Sequence, residues 1–177
     1  MSDAQERPTP PSRPTRPTSP VPRSPFSIKL GRFFGIDVII HWSFWILYVW
    51  IYWRTSQISG ATPGMYAKNI LLITCVFLCV LLHEFGHALS ARRFGIGTRD
   101  VTLYPFGGIA RLQGMPEKPT QEILVALAGP AVNVVIAAIL IPLAIAIHGM
   151  PDAASLHPVT GDFLAELGGI NILLVVF

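Results

Sequence analysis

The stretch LLHEFGHALS, residues 81–90, places two histidines and a glutamate inside an apolar run that begins at Ile70. Its core is an H-E-x-x-H pattern in which His83 and His87 stand four residues apart. On a helix, such positions differ by about 40° in azimuth and about 6 Å in rise, so both imidazoles can reach one ion. Ionisable groups inside a membrane-length helix are costly and usually mark function. The stretch therefore predicts an apolar helix that binds a metal ion.

The same stretch carries a candidate general base. Two imidazole nitrogens at about 2.0–2.1 Å suit zinc well. Glu84 lies about 60° around the helix from His87, close enough to meet a zinc-bound water without being a ligand itself. We therefore expect Glu84 to act as general base and then as proton carrier, with zinc activating the water. The alternative is a helix end at the membrane interface whose ionisable residues are hydrated and have no chemical role.

The composition of the 177-residue chain agrees with a membrane environment. Of its residues, 51% are hydrophobic and only 13% are charged, too few to solvate the surface of a globular domain. The net charge of +3 is small, and the basic residues lie at the ends of apolar segments rather than on one face. This distribution argues against a nucleic-acid partner and makes the lipid bilayer the expected surroundings.

Four apolar segments approach the length of about 20 residues that a membrane helix needs. They run over about 33–53, 70–91, 123–147 and from 163 to the end of the sequence. Between the second and third, TRDVTLYPFGGIARLQG (98–114) alternates weakly and breaks at a Pro-Phe-Gly-Gly turn, which predicts two short strands. The alternative there is an irregular loop. The expected fold class is an all-α polytopic membrane protein with about four transmembrane helices and a short β-hairpin between the second and third.

Basic residues predict the orientation of these helices. Eleven of the 13 Lys and Arg residues precede the first segment or lie between the second and third. Because basic segments stay on the cytosolic side, we expect a multi-pass protein of the cell membrane with a cytosolic N-terminus. The loops 54–68 and 148–162 should then face the opposite side.

The first 26 residues differ in composition from the rest. They contain eight prolines and four arginines with almost nothing apolar, so they cannot bury enough surface to offset the entropy of ordering. We predict a disordered Pro/Arg-rich cytosolic tail over 1–26 and a membrane core over 27–177. A proline-rich docking ligand is the alternative function for the tail.

Several motifs, in this order and approximate spacing, resemble those of the site-2 protease family of intramembrane zinc metalloproteases. They are LLHEFGHALSARRFGI (81–96), TLYPFGGIARL (102–112) and ALAGPAVNVVIA (126–137), and HWSF (41–44) is similar to the first helix of the bacterial and archaeal branch. The resemblance covers about residues 27–177. It implies one zinc ion near the cytosolic face, held by the two histidines, and hydrolysis of peptide bonds in transmembrane protein substrates, as in regulated intramembrane proteolysis.

The resemblance also implies a third zinc ligand. The family supplies it as an aspartate in an N-x-x-P…D-G motif on the fourth core helix, and that motif is absent here. Asp100, Asp152 and Asp162 do not stand in a matching context. We therefore expect the core to be incomplete at the C-terminus, the third ligand to lie beyond residue 177, and the 177-residue chain alone to be inactive.

Asn133 stands in an uncharged apolar helix, within the sequence AGPAVN. An unpaired amide in hydrocarbon is costly, so this side chain should have a partner. The family resemblance makes Asn133 a candidate catalytic residue that orients the substrate carbonyl or stabilises the oxyanion. The alternative is a plain interhelical hydrogen bond. Close approach of helices explains the neighbouring Gly129 and Pro130.

The predicted hairpin offers a substrate-binding element. A transmembrane helix cannot be hydrolysed until its backbone unwinds into an extended segment, and an edge strand can hold such a segment by β-augmentation. Phe106, Gly107 and Gly108, at the hairpin turn, are therefore the candidate substrate-binding residues.

Alternative hypotheses concern the metal ligands and the function of the site. His41 or Cys79 could serve as a further metal ligand, although packing between helices explains both residues. The alternative function is a metal-binding membrane protein without hydrolytic activity, either a pseudoprotease or a metal carrier. A soluble zinc protease is excluded because no water-soluble domain surrounds the motif.

Overall fold

A computed structural model describes residues 26–116, 118–149 and 162–176 of the chain. The predicted tail over 1–26 lies, except for Phe26, outside these residues. The elements in chain order are β1 (Ser27–Phe33), β2 (Ile36–His41), α1 (Phe44–Ser56), α2 (Pro63–Arg93), β3 (Thr98–Tyr104), β4 (Gly107–Leu112), α3 (Pro119–His148) and α4 (Phe163–Val176).

Helices α2 and α3 are the long apolar elements of the fold. Each begins with a proline in its first turn. A backbone N–H at this position has no acceptor within the helix, so the proline costs no intrahelical hydrogen bond. Helix α2 ends with Arg92 and Arg93, whose charges suit the negative end of a helix. With 31 and 30 residues, both helices are long and apolar enough to cross a membrane. They pack closely, because a Cβ on Gly86 would lie 2.6 Å from the Ala128 carbonyl oxygen.

The prediction of an all-α protein with about four transmembrane helices is wrong. Within the described ranges, only α2 and α3 could span a membrane, and α4 is a shorter apolar helix of 14 residues. The segment predicted as the first span is divided between strand β2 and helix α1. Helix α1 has 13 residues, a length of about 20 Å against a hydrocarbon thickness of about 30 Å.

The strands form one four-stranded sheet in the order β1-β2-β3-β4. The two outer pairs are antiparallel, whereas β2 and β3 are parallel. Their parallel pairing is possible because α1 and α2 form the long connection that parallel neighbours require. The predicted hairpin is present as β3 and β4, which makes it half of this larger sheet. Its turn uses Gly107 at φ 144°, a conformation that favours glycine.

One face of the sheet packs on the C-terminal half of α2. Val38 and Val101 are fully buried there against Phe85 and Ala88. Closer to the middle of α2, the ends of β2 and β3 pack against Phe77 and Val80. The sheet therefore lies beside the turns of α2 that carry the H-E-x-x-H motif.

Helix α1 continues along α2 where the sheet ends. Phe44 at its start contacts Phe77 edge to face, with ring centroids 4.5 Å apart. At its other end, Asn69 Nδ2 of α2 donates to Thr55 Oγ1 at 3.0 Å. Strand β2 and helix α1 together thus follow most of the length of α2 in the opposite direction.

The face of the sheet that points away from α2 carries a row of charged residues. One register row joins Arg32 of β1, Asp37 of β2, Asp100 of β3 and Arg111 of β4. Arg32 Nε lies 3.8 Å from Asp37 Oδ1, and Arg111 Nε lies 3.6 Å from Asp100 Oδ1. The sheet is therefore apolar toward α2, and its opposite side carries one row of charged residues.

Candidate metal and catalytic site

Helix α3 meets the H-E-x-x-H motif of α2 at a glycine. A Cβ added to Gly129 would overlap His87 Nε2 and would lie 2.7 Å from His83 Nε2. No side chain fits between the α3 backbone and the two imidazoles. The close helix approach expected at Gly129 is therefore present, and it occurs directly at the histidine pair.

The two histidines converge through their Nε2 atoms. His83 Nε2 and His87 Nε2 are 3.0 Å apart, and the rings meet edge to face at a centroid distance of 4.7 Å. Two nitrogen ligands of a tetrahedral zinc ion stand about 3.3 Å apart, given bonds of about 2.0–2.1 Å. The pair therefore fits one zinc ion with little rearrangement.

The other ring nitrogens of both histidines have polar partners on α3. His87 Nδ1 lies 2.8 Å from the Val125 carbonyl oxygen, and His83 Nδ1 lies 3.0 Å from Asn133 Nδ2. Such outer contacts orient histidines whose remaining nitrogen binds metal. Asn133 is completely buried, and its expected polar partner is His83.

Glu84 projects toward the hairpin. A Cβ on Gly108 would lie 2.7 Å from Glu84 Cγ and 3.3 Å from its Oε1. The backbone of β4 thus passes directly over the carboxylate-bearing side chain, with no side chain between them. Glycine at this position is required by the close approach of strand and helix.

A cavity of about 410 Å³ adjoins Glu84 and the hairpin turn. Its walls come from α1, α2, α4 and the turn between β3 and β4, and its lining residues are Leu47, Ile73, Val76, Phe77, Val80, His83, Glu84, Pro105, Phe106, Gly107, Gly108 and Leu174. A mostly apolar cavity with few polar groups is typical of a binding site. Asn133 and His87 do not line it.

The structure brings most of the predicted site residues together. His83, Glu84, Gly107 and Gly108 border one cavity, and His87 adjoins His83. Phe106 also borders the cavity, although 82% of its surface is exposed. Asn133 contacts Nδ1 of His83 and does not border the cavity.

Neither alternative metal ligand joins the histidine pair. His41 Nδ1 lies 2.7 Å from Ser43 Oγ, and its ring packs 5.0 Å from that of Tyr104. The buried Cys79 has its Sγ 3.4 Å from Asn171 Nδ2. Among the residues that the structure describes, no group of three or more His, Cys, Asp or Glu could hold a metal ion.

Two buried polar contacts on α4 were not anticipated. Asn171 is fully buried and donates to the Leu167 carbonyl at 2.8 Å, besides its contact with Cys79. Glu166 accepts from Lys68 Nζ at 2.9 Å, and its side chain is only 2% exposed. Both residues interrupt an apolar run, and this was the signal that could have identified them.

Comparison with known proteins supplies the family context. The model of the family described as "Peptidase family M50" matches residues 71–173. Two relatives carry the name "Putative zinc metalloprotease": Rip3 of Mycobacterium tuberculosis, 31% identical over 158 residues, and sll0528 of Synechocystis sp., 33% identical over 159 residues. Each alignment covers 85% of this chain but 39% of the relative.

A solved structure shares the fold. The site-2 protease from Methanocaldococcus jannaschii superposes with a TM-score of 0.63 at 25% sequence identity. The match covers 86% of this chain and 63% of the solved chain. The likeness therefore extends over most of the chain.

Proposed function

Because the chain belongs to peptidase family M50, the site-2 protease family, we propose that it is the core of an intramembrane zinc metalloendopeptidase. Its substrates would be transmembrane proteins, cleaved within or beside the bilayer. The observation that carries this proposal is the convergence of His83 Nε2 and His87 Nε2 at 3.0 Å, with Glu84 beside them on the wall of a cavity.

His83 and His87 are the proposed ligands of one zinc ion. Their Nε2 atoms face each other, while their Nδ1 atoms are held by α3. When bound, zinc supplies a Lewis acid that polarises the scissile carbonyl and makes water a nucleophile near neutral pH. Catalytic zinc usually has three protein ligands, and His83 and His87 would be two of them.

Glu84 is the proposed general base. Its side chain borders the cavity between the zinc ligands and the hairpin, where a water and a substrate backbone would meet. It would accept a proton from the attacking water and then deliver that proton to the nitrogen of the departing amine. One carboxylate thus serves both halves of the hydrolysis.

Strand β4 is the proposed substrate-binding edge. It is the last strand of the sheet among the described residues, and a strand at a sheet edge can pair with an extended peptide. Phe106, Gly107 and Gly108 place this edge at the mouth of the cavity, and Gly108 contacts Glu84. A substrate segment paired with β4 would lie next to the general base.

The position of Asn133 does not favour a direct contact with the substrate. Its amide is completely buried against His83 and does not border the cavity. We therefore propose that it acts on the ring of His83 and not on the substrate carbonyl.

The orientation in the bilayer is also a proposal. Arg92, Arg93 and Lys118 lie near the ends of α2 and α3 that adjoin the sheet. Basic residues favour the cytosolic side. The protein would then be multi-pass, with the sheet, the histidines and the N-terminus toward the cytosol.

The proposal is tested with the full-length protein that contains this chain and a single-pass helix whose centre carries a helix-breaking Gly-Pro pair. Glu84→Gln should abolish cleavage while leaving zinc bound, since Glu84 moves protons and is not a ligand. His83→Ala and His87→Ala should lose both cleavage and zinc.

Two outcomes would contradict the proposal. If Glu84→Gln cleaves the substrate at nearly the wild-type rate, Glu84 is not the general base. A wild-type protein that holds zinc and cleaves no membrane substrate would instead favour the alternative function, a non-proteolytic metal-binding membrane protein.

A further inference from the structure

A second cavity lies toward the start of α2, away from the histidine pair. Its volume is about 530 Å³, and α1, α2 and α4 form its walls. Only two of its lining residues are polar, Asn69 of α2 and Glu166 of α4. Small-molecule sites usually have volumes of about 300–1,000 Å³ and mostly apolar walls with a few polar groups. The cavity therefore has the size and the composition of a binding site.

Helices α2 and α4 run side by side in the same direction along this cavity. Lys68, near the start of α2, pairs with Glu166, near the start of α4. Further along both helices, Cys79 contacts Asn171. The order of residues in the sequence of each helix therefore gives their order along the length of the cavity.

The cavity is polar at one end and apolar along the rest of its length. Asn69 and Glu166 are the first lining residues on their helices, and Val76 and Leu173, each seven positions later, are the last. Seven helical residues span about 10 Å. This arrangement matches an amphiphilic ligand whose polar group binds near the first turns of the two helices and whose chain follows them. At its apolar end, the cavity adjoins the one beside Glu84.

The polar end lies at the level of the headgroups of a bilayer. Tyr52 and Tyr66 are in contact there, with ring centroids 5.0 Å apart, and Trp53 is 55% exposed. Tyr66 precedes Asn69 by about one turn of α2. Trp and Tyr side chains concentrate at the interface between membrane and water. The amphiphile that fits the cavity is therefore a lipid of the leaflet that surrounds the start of α2.

The polar end has hydrogen-bond acceptors that no described residue satisfies. Asn69 Nδ2 donates to Thr55 Oγ1, and Glu166 Oε1 accepts from Lys68 Nζ. The other oxygens, Asn69 Oδ1 and Glu166 Oε2, are buried and have no hydrogen-bond partner among the described residues, which is costly. The last torsions of Asn and Glu side chains are soft. A small turn of each side chain therefore brings these oxygens to a donor that is bound in the cavity.

The charges at this end determine which headgroup fits. Lys68 neutralises Glu166, so a headgroup with a net charge would remain uncompensated beside the apolar wall. A zwitterionic headgroup adds no net charge. Two acceptor oxygens also require at least two donor hydrogens, and a primary ammonium group carries three, whereas a choline group carries none. The ethanolamine headgroup meets both conditions.

We propose that this cavity binds one molecule of phosphatidylethanolamine from the surrounding leaflet. The ammonium group donates to Asn69 Oδ1 and Glu166 Oε2, and the upper part of one acyl chain lies against Ile73 and Ile170. The inference requires that the chain lie in a membrane, and it is independent of the proposed proteolysis.

A series of methylated lipids tests these hydrogen bonds with the wild-type protein alone. The full-length protein that contains this chain is placed in nanodiscs of dioleoyl phosphatidylcholine with a minor fraction of dioleoyl phosphatidylethanolamine or its N-methyl or N,N-dimethyl derivative. Acyl chains and net charge stay constant along the series, while the donor hydrogens decrease from three to none. Native mass spectrometry measures which lipid stays bound when the protein is released.

Phosphatidylethanolamine should bind at least about 10-fold more tightly than phosphatidylcholine, because hydrogen bonds to a charged group and to a buried acceptor are lost together. The two methylated lipids should lie between them in order of their donor hydrogens. This gradation separates hydrogen bonding from the general affinity of a hydrophobic surface for lipid.

Two substitutions locate the bound lipid. Glu166→Gln keeps an amide oxygen for Lys68 and replaces the second oxygen by an N–H donor, so the preference for phosphatidylethanolamine should disappear. Ile170→Trp fills part of the cavity without changing a polar group, and it should also abolish the preference. Ile170 does not line the cavity beside Glu84.

Ile172→Trp is the matched control. Ile172 lies on the same helix, is 53% exposed and does not line the cavity. This variant carries the same added ring system, and it should keep the wild-type preference. The lipid series itself needs no variant, so a substitution that prevents folding does not prevent the test.

Three results would overturn the inference. If the wild type retains phosphatidylethanolamine and phosphatidylcholine equally, the two oxygens do not bind the ammonium group. A preference that survives both Glu166→Gln and Ile170→Trp would mean that the lipid binds elsewhere on the protein. If Ile172→Trp loses the preference as completely as Ile170→Trp, the cavity is not what selects the lipid. None of these measurements involves cleavage of a substrate, so they do not depend on whether the proposed function is correct.

Discussion

Gly108 and Glu84 are in direct contact, because a Cβ on Gly108 would lie 2.7 Å from Glu84 Cγ. This contact joins strand β4 to the motif helix at the residue proposed to move protons. The position of the strand and the position of the carboxylate are therefore not independent. A substitution in the hairpin should change catalysis without altering any residue of the H-E-x-x-H motif.

Gly108→Ala tests this coupling. The new methyl group would displace either the strand or Glu84, and a misplacement of about 1 Å in a catalytic group can reduce the rate by about 100-fold. Cleavage of a membrane reporter should fall by that order, while zinc content stays at the wild-type level. Gly114→Ala is the control, because a Cβ there has open space around it. Equal activity of both variants would show that Glu84 does not depend on β4.

Gly129→Ala should damage the metal site instead. Its methyl group would occupy the space of His87 Nε2 and approach His83 Nε2. We expect zinc affinity to fall at least about 10-fold, since both ligands would be displaced from their partners on α3. Competition with a chelator in detergent measures this affinity. Gly169→Ala on α4, where a Cβ meets nothing, should bind zinc normally; a similar loss there would point to general destabilisation.

The ion pair between Lys68 and Glu166 should be strongly non-additive. Glu166 is nearly inaccessible, so Lys68→Met would leave a buried carboxylate without its cation and should destabilise the protein by about 3 kcal/mol. The double variant Lys68→Met/Glu166→Leu should recover most of this loss. Denaturant unfolding in detergent micelles gives the three free energies. If the losses simply add, the pair does not stabilise the packing of α4 on α2.

Cysteine labelling tests the orientation. In a background without Cys75 and Cys79, single cysteines in 92–118 should be protected from an impermeant reagent added outside intact cells. Cysteines in 57–62, between α1 and α2, should be labelled. The reverse pattern would move the histidine pair toward the outer face of the membrane.

The sequence predicted the motif helix and the hairpin because both have local signals. The four-residue spacing of His83 and His87 is meaningful only on a helix, and the glycine turn before Ile109 separates two alternating runs. The contact of Asn133 with a polar partner could also be predicted from the cost of burying an amide. That the partner would be His83 could not be predicted, because it depends on the register of α3 against α2.

The first apolar segment was interpreted wrongly for a physical reason. Summed hydropathy is the same for a strand and a helix, and a short apolar run does not distinguish them. The segment Ile36–His41 has the alternating burial of a strand, with Asp37 on the opposite side from Val38. The alternation covers only six residues. The aromatic residues that follow continue the apolar run, so nothing in the sequence indicated that a helix begins at Phe44.

The open sheet also has a consequence for the surrounding lipid. Strands β1 and β4 are the two outer strands of the sheet among the described residues, and acyl chains cannot satisfy the backbone groups of an open strand edge. The ionic row from Arg32 to Arg111 on the far face has the same requirement for water. Headgroups and water should therefore dip inward around this side of the molecule, so that one leaflet is locally thinned while the other keeps its normal depth. A substrate peptide bond that approaches through the thinned leaflet would therefore be hydrated before it reaches Glu84.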